Sequence, residues 1–561
     1  MKQKIRLFIF LSILATAILA ASQIAIAAPP RTVDVQILAL NDFHGNLMPP
    51  SGSSGVVNGV PAGGVEYLAT HIANLRAQNP RTVVVSAGDM VGASPLLSAL
   101  FHDEPTIEAF NLIGLDFNAV GNHEFDEGWT ELVRLQEGGC HPVDGCLDGD
   151  DFAGADFQFL AANVVRKDNG HTIFPAYKLR SFAGVKVAFI GMTLEGTPSI
   201  VSPAGIADLN FLDEAETVNA LVPKLKALGV ETIVVLIHEG GTQVTAPPVL
   251  PNGCVGMTGP IVDIVNNFDD EVDVVISGHT HQAYNCVIDG KLVTSASSFG
   301  RLVTKIDLTL DKETGEAISM VADNRIVTRD VPKDTLLTAL IDKYNLIAAP
   351  LANRVVGTIT ADINRTANAA GESALGDVIA DGQLDATNDP GFGDAVMAFM
   401  NPGGIRADLV YAQISGTELP GEVTYGEIFN IQPFGNSLVT LTLTGAQIDT
   451  MLEQQFVGCG QTSNRILQVS TGFSYTWSLS GGPCNKVDPA TIMLNGVVID
   501  PTASYRVTVN SFLADGGDNF FVLKDGTDRL GGDVDLDAFE KYFANYSPLT
   551  PGTLTRITVV P

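Results

Sequence analysis

Val272-Asp273-Val274-Val275-Ile276-Ser277-Gly278-His279-Thr280-His281 sets the plan of the N-terminal half. An apolar, β-branched run stops and a polar cluster follows at once. The same arrangement occurs four more times upstream. Val35-Gln36-Ile37-Leu38-Ala39-Leu40 leads into Asn41-Asp42-Phe43-His44, and Thr82-Val83-Val84-Val85-Ser86 into Ala87-Gly88-Asp89. Phe117-Asn118-Ala119-Val120 leads into Gly121-Asn122-His123, and Thr232-Ile233-Val234-Val235-Leu236-Ile237 into His238. Runs this apolar predict strands buried on both faces, and so a layered α/β architecture. Helices are predicted between them, for example over 65–78 and 217–228. Function in such sheets collects just beyond the carboxyl ends of the strands. Five polar clusters at five strand ends therefore converge on one place.

The chain of 561 residues is too long for one core, and two domains are expected. Its 45% hydrophobic and 17% charged residues are a globular composition. Leu336, Leu337, Leu340, Ile341, Tyr344 and Ile347 recur at helical spacing and predict a helix over 333–348, ended by Pro350. The domains are accordingly set at 28–330 and 352–561, with a linker helix over 331–351. The second half mixes predicted helices (375–385, 445–455) with strands (438–443, 504–510). Asp533-Val534-Asp535-Leu536-Asp537 imitates the start of a calcium loop, but Ala538 and Ala544 stand where an EF-hand needs Gly and Glu. Asp537 is read instead as a helix N-cap, with Glu540 closing a capping box.

Residues 1–27 read as a cleaved signal peptide. Lys2, Lys4 and Arg6 precede an apolar run from Leu7 to Ala21, and Ala25-Ile26-Ala27 gives a small-x-small cleavage site before Ala28. The run is short for a membrane anchor. A periplasmic or secreted protein with no stable membrane anchor is expected. The formal net charge of −31 repels nucleic-acid polymers over most of the surface. A small anion held at a local metal site remains compatible with it, and nothing calls for an obligate protein partner. Six cysteines in an oxidising compartment predict disulfides. Several connectivities are open to them. The sequence-local pairs Cys140–Cys146, Cys254–Cys286 and Cys459–Cys484 are favoured, because each closes one loop inside one domain.

Five of the nine histidines, His44, His123, His238, His279 and His281, fall in the strand-end clusters. Imidazole with carboxylate oxygen suits a pair of divalent metals such as zinc, manganese or cobalt. Asp42 and His44 are two residues apart and can point the same way from an extended segment. His279 and His281 repeat the spacing. Asp89 stands alone after its strand, placed to bridge two ions. Asn122 offers a neutral oxygen and His238 a further nitrogen. This set suffices for two sites with open positions. His123 and Asp126 add a proton-handling pair: Asp126 orients the ring, and His123 stabilises charge or protonates the leaving oxygen.

Asp42-Phe43-His44, Gly88-Asp89, Gly121-Asn122-His123-Glu124, His238 and Gly278-His279-Thr280-His281 resemble the calcineurin-like metallophosphoesterase signature in order and spacing. Asn41-Asp42-Phe43-His44-Gly45 and Gly121-Asn122-His123-Glu124-Phe125-Asp126 are similar to the 5′-nucleotidase branch, in its exported bacterial form. That resemblance implies an N-terminal layered α/β domain of two sheets flanked by helices. A helix would join it to a C-terminal mixed α/β substrate-binding domain. It also implies one metal held by Asp42, His44, Asp89 and His281, and a second by Asp89, Asn122, His238 and His279. Some members carry Gln at the place of His281. In the second half, Asn401-Pro402-Gly403-Gly404-Ile405-Arg406, Pro433-Phe434-Gly435 and Ser511-Phe512-Leu513-Ala514-Asp515-Gly516-Gly517-Asp518 resemble the family's substrate segments. By similarity Phe434 and Phe512 sandwich a nucleobase, Arg406 holds phosphate beside Asn401, and Asp518 binds the ribose. The segment 364–373 carries Arg365 alone where the family often has further arginines, and Arg365 is the remaining phosphate-ligand expectation.

The function this implies is phosphate release from nucleoside 5′-monophosphates. A 2′,3′-cyclic nucleotide phosphodiesterase or UDP-sugar hydrolase fits the same scaffold. An inactive nucleotide-binding protein is disfavoured by the complete ligand set and the His123–Asp126 pair.

Overall fold

The computed structural model describes residues 31–50, 52–201, 203–244 and 250–561. The expected leader and its cleavage point lie outside the described residues. Strands β1 (Thr32–Leu40), β2 (Thr82–Ser86) and β3 (Phe117–Ala119) run parallel in one six-stranded sheet. Two antiparallel strands, Leu302–Asp311 and Ala317–Ile326, extend it beyond β1. Strands β4 (Thr232–His238) and β5 (Val274–Ser277) run parallel at the centre of a second six-stranded sheet.

Alternation along β1 explains how the sheets stack. Val33, Val35, Ile37 and Ala39 enter the core between the sheets, where Phe189, Val234, Leu236 and Ile276 meet them. Leu38 and Leu40 face the opposite way and pack with Val65, Leu68, Ile72 and Phe110 of the covering helices. Helices Glu214–Ala227 and Pro260–Asn266 cover the second sheet through Val218, Leu225, Ile261 and Val265. The layers thus run helix, sheet, sheet, helix, as expected of strands apolar on both faces. Every residue of β4 is buried. Each Val, Leu or Ile so buried contributes roughly 1.5–3 kcal/mol, which anchors the strand ends firmly.

The second half is built on a five-stranded mixed sheet. In it Met397–Met400 runs parallel to Ser504–Asn510, which pairs on its other side with Ser437–Thr444, and Thr527–Val534 lies beyond that at the edge. Helix α1 (Thr335–Ala352) connects the halves. Asp334 caps it by accepting from the Leu336 and Leu337 backbone N–H groups. Leu337, Ile341, Tyr344 and Ala348 are buried, whereas Leu336 and Ile347 are exposed. Pro350 lies inside its last turn rather than beyond its end. A proline there forfeits one backbone donor, and the helix runs two residues further. The three disulfides Cys140–Cys146, Cys254–Cys286 and Cys459–Cys484 are formed.

The capping box expected at Asp537 does not form. Helix Asp535–Tyr546 begins three residues earlier than a cap at Asp537 implies and has no side-chain cap. Asp537 lies in its first turn, where a negative charge suits the helix dipole. Glu540 reaches out of the helix to the Arg354 guanidinium.

Candidate active site

The ends of β1, β2, β3, β4 and β5 meet along one edge of the double sheet, and the backbone there is unusual. Asp42, His44, Asp89, His279 and His281 all have left-handed φ, between 48° and 68°. Non-glycine residues rarely adopt this region, at a cost of roughly 1–3 kcal/mol each. The two spaced pairs therefore do not project from extended segments, as expected from their spacing. Each residue turns the chain, which brings Asp42 and His44 into one group of side chains and sends His279 and His281 into two neighbouring groups. These groups leave no room for bulk. A Cβ on Gly121 would sit 2.2 Å from Asp89 Oδ1 and 2.7 Å from the Asp89 nitrogen.

Two groups of side chains result. Asp42, His44 and His281 form one and Asp89, His238 and His279 the other, with ligand atoms in each lying within 4.8 Å of one another. Asp89 Oδ2 stands between them, 2.9 Å from His238 Nε2 and 3.7 Å from His44 Nε2. Asn122 Oδ1 lies 3.0 Å from His279 Nδ1. His44 and His281 point their Nε2 atoms at each other across 3.1 Å.

Hydrogen bonding fixes which nitrogens are free. His44 Nδ1 donates to the Gly92 carbonyl, and His238 Nδ1 donates to the Ala87 carbonyl. In the neutral rings Nε2 then carries a lone pair. His238 Nε2 is buried beside Asp89 Oδ2 without hydrogen-bond alignment to any partner. Burial holds His44 and His281 below the usual imidazole range. Burial, with the charge of His238, pushes His279 down to about 3. Burial opposes charge on His238 too, but the Asp89 carboxylate outweighs it and pushes the ring up to about 10. The depressed His44, His279 and His281 rings keep their lone pairs beside the buried Asp42 and Asp89 carboxylates. The donor set, nitrogen and carboxylate oxygen around a shared Asp89, fits a pair of divalent metal ions.

His123 stands beside this cluster. Its Nδ1 lies 2.8 Å from Asp126 Oδ2, which also accepts the Ala93 N–H. Burial pulls its pKa down, yet the Asp126 and Asp89 carboxylates prevail and raise it. Its backbone N–H donates to Asp89 Oδ1.

Some positioning residues escaped the sequence reading. Glu124 Oε2 accepts the N–H groups of Asp89 and Gly121, and Oε1 accepts those of Met90 and the Asn118 side chain. Asn41 donates to Asp42 Oδ2 and to the Ser297 carbonyl. Both lie in quoted motifs, but most of their bonds run to backbone groups that carry no sequence signal.

One cavity joins the two halves. Asp89, Asn122, His123, His279 and His281 line it from the first half, and Asn401, Arg406, Phe434, Phe512 and Asp518 from the second. Phe434 stacks on His123 at 5.7 Å, and Arg406 lies 5.8 Å from the Phe434 ring centre. Asn401 Nδ2 donates to Asp518 Oδ2, and Arg465, which nothing in the sequence singled out, pairs with Asp518 Oδ1. Arg365 is not brought to this cavity. Its guanidinium donates to the Ile405 carbonyl and lies 3.4 Å from the Ser54 hydroxyl, so it braces the loop that carries Arg406.

A family model for calcineurin-like phosphoesterases matches residues 35–283, and one for the 5′-nucleotidase C-terminal domain matches residues 355–525. Endonuclease YhcR of Bacillus subtilis is 35% identical over 87% of this chain, which spans 37% of that protein's length. Cell wall protein Lmo0130 of Listeria monocytogenes is 32% identical over 91% of this chain and 67% of its own. The crystal structure of a 5′-nucleotidase precursor from Thermus thermophilus superposes with a TM-score of 0.77 at 26% identity, over 94% of this chain and 99% of that one.

Proposed function

The chain belongs to the calcineurin-like phosphoesterases that carry a 5′-nucleotidase C-terminal domain, a family of divalent-metal enzymes, and from that membership we propose an exported hydrolase of nucleoside 5′-monophosphates. The observation that carries this reading is the single cavity lined by both the strand-end cluster and the Phe434, Phe512 and Arg406 side chains. Asp42, His44, Asp89 and His281 would hold one ion, and Asp89, Asn122, His238 and His279 the other. When bound, such a pair supplies Lewis acidity and an acidified water for in-line displacement at phosphorus.

The chain's own groups do the rest. Arg406 binds the phosphate oxygens through its fork of donors. Phe434 and Phe512 hold the base by stacking, and Asp518, fixed by Asn401 and Arg465, accepts from the ribose hydroxyls. Asp126 keeps the proton of His123 on Nδ1 when the ring is neutral. A second proton on Nε2 is then available to the departing ribose oxygen, and the raised pKa of His123 favours that form.

Export is proposed from the leader pattern in residues 1–27 and from the three disulfides, which persist in oxidising compartments. A small nucleotide is preferred to a polymer because of the net charge of −31.

The test compares AMP with p-nitrophenyl phosphate under manganese or zinc. Phe512→Ala should lower AMP turnover relative to the artificial ester by the roughly 1–3 kcal/mol of a lost base stack. If Phe512→Ala and Phe434→Ala both leave that ratio unchanged, the base is not held there and the nucleotide assignment falls. Adding UDP-glucose, NAD and 2′,3′-cyclic AMP to the panel ranks the other phosphoesters.

A further inference from the structure

The strand Ser504–Asn510 ends on a buried amide that lines the cavity. Asn510 Oδ1 accepts the Leu513 N–H at 2.9 Å and so caps the short helix Ser511–Ala514, which carries Phe512. Asn510 Nδ2 donates to Asn401 Oδ1 at 3.0 Å and to the Met400 sulfur at 3.6 Å. Asn401 Nδ2 donates in turn to Asp518 Oδ2 at 2.9 Å. Asn401, Asn510 and Asp518 are all buried.

The direction of this chain of bonds is fixed at its first link. A side-chain amide has one accepting oxygen and one donating NH2. The Leu513 N–H can only donate, so it claims the Asn510 oxygen and leaves only donors to face Asn401. Asn401 must then turn its own oxygen toward Asn510 and its NH2 toward Asp518. Reversing both amides would set donor against donor at Leu513 and oxygen against carboxylate at Asp518, two buried faults that each forfeit a hydrogen bond. Arg465 pairs with the other Asp518 oxygen, so the carboxylate is gripped on both sides. Asp518 sits at a φ of 52°, a left-handed conformation that persists only where the surroundings hold it. Its remaining lone pairs are acceptors, which suit hydroxyl donors.

We infer that Asn510 sets the preference for the sugar: acting through Asn401, it aims the Asp518 carboxylate so that nucleotides bearing ribose hydroxyls are favoured over those lacking them. This rests on the nucleotide reading above. Asn510 is a positioning residue and needs no contact with the substrate. It also couples the sugar contact to the base clamp, because the same side chain fixes the turn that carries Phe512.

The experiment compares kcat/KM for AMP and 2′,3′-dideoxy-AMP, which differ only in the sugar hydroxyls. The parent should prefer AMP by about 10-fold or more, the usual weight of a hydrogen bond to a charged group. Asn510→Ser keeps a cap for Leu513 but is too short to reach Asn401. The ratio should fall toward one, through a higher KM for AMP rather than a lower kcat. Asn510→Asp has the shape of the parent side chain without its NH2. Assayed at about pH 8, well above the ordinary carboxylate range, it should lower the ratio likewise, and it decides the matter if Asn510→Ser fails to fold. In an Asn401→Ala background, Asn510→Ser should add no further fall, since the two residues act in series. A parent-level ratio in either variant, or a further fall in the absence of the Asn401 amide, overturns the inference and leaves the nucleotide reading standing. A parent that uses both nucleotides equally well removes the Asp518 contact from that reading, and the inference with it.

Discussion

Adding one methyl group at Gly121 should dismantle the metal centre while leaving the fold in place. In Gly121→Ala the new Cβ would stand 2.2 Å from Asp89 Oδ1, 2.7 Å from the Asp89 nitrogen and 2.9 Å from Glu124 Oε2. Gly121 is outside the left-handed region, so the effect is purely steric. Relief to an ordinary contact requires the Asp89 carboxylate to retreat by roughly 1 Å. Metal–ligand distances tolerate only about ±0.2 Å, so the shared ligand would be lost to at least one ion. A misplacement of about 1 Å costs on the order of 10²-fold in rate, equivalent to about 2.7 kcal/mol of barrier. Overpacking costs roughly 1–3 kcal/mol of stability, which a two-core protein can absorb. The assay measures metal content by mass spectrometry, turnover of p-nitrophenyl phosphate under saturating manganese, and thermal unfolding. Gly482→Ala, where a Cβ meets nothing within 4 Å, serves as control. Parent-level metal and turnover in Gly121→Ala would refute the reasoning, since Asp89 would then have room that the structure denies it.

His123→Ala should retain both metals and lose about 10²–10⁴-fold in kcat, the usual span for a proton-transfer group. Loss of metal in that variant would instead make His123 a ligand. Asp377 offers a test by pH. Its carboxyl is buried, with Glu372 and Asp381 nearby and the Arg556 Nε 3.6 Å away; burial pushes it up to about 8 despite Arg556. The folded chain therefore keeps a proton that the unfolded chain sheds near pH 4. The associated stability is complete below that pH and is lost as the pH rises through about 8. Asp377→Asn should flatten the melting temperature across that window. An unchanged pH dependence would show that Asp377 is not responsible.

The strand ends were legible because each polar cluster follows a run that cannot face water, so the apolar runs pointed to Asp42, Asp89, His238 and His279. The layered architecture followed from the same runs. Local backbone conformation was not legible. The spacing of Asp42 and His44 fits an extended segment as well as a left-handed turn, and nothing in composition separates the two. Residues that act on backbone groups were invisible for a related reason: most partners of Glu124 and Asn41 are N–H and C=O groups that every residue possesses. Arg465 pairs with Asp518 across 53 positions, a contact created only by folding. The helix at Asp535 shows the limit of capping rules: it starts without a side-chain cap, where the Asp535 N–H donates to the Asn436 carbonyl, a contact made only on folding.

Glu124 has a mechanical consequence. One carboxylate grips the chain after β2, at Asp89 and Met90, and the chain after β3, at Gly121. Thermal drift of this edge then moves both loops as a single body. The gap between Asp89 and Asn122 is insulated from motions that would carry either loop alone. Errors in position are shared rather than added. Glu124→Gln, which replaces one accepting oxygen with a donor, would release one loop from the other and turn a common drift into a relative one.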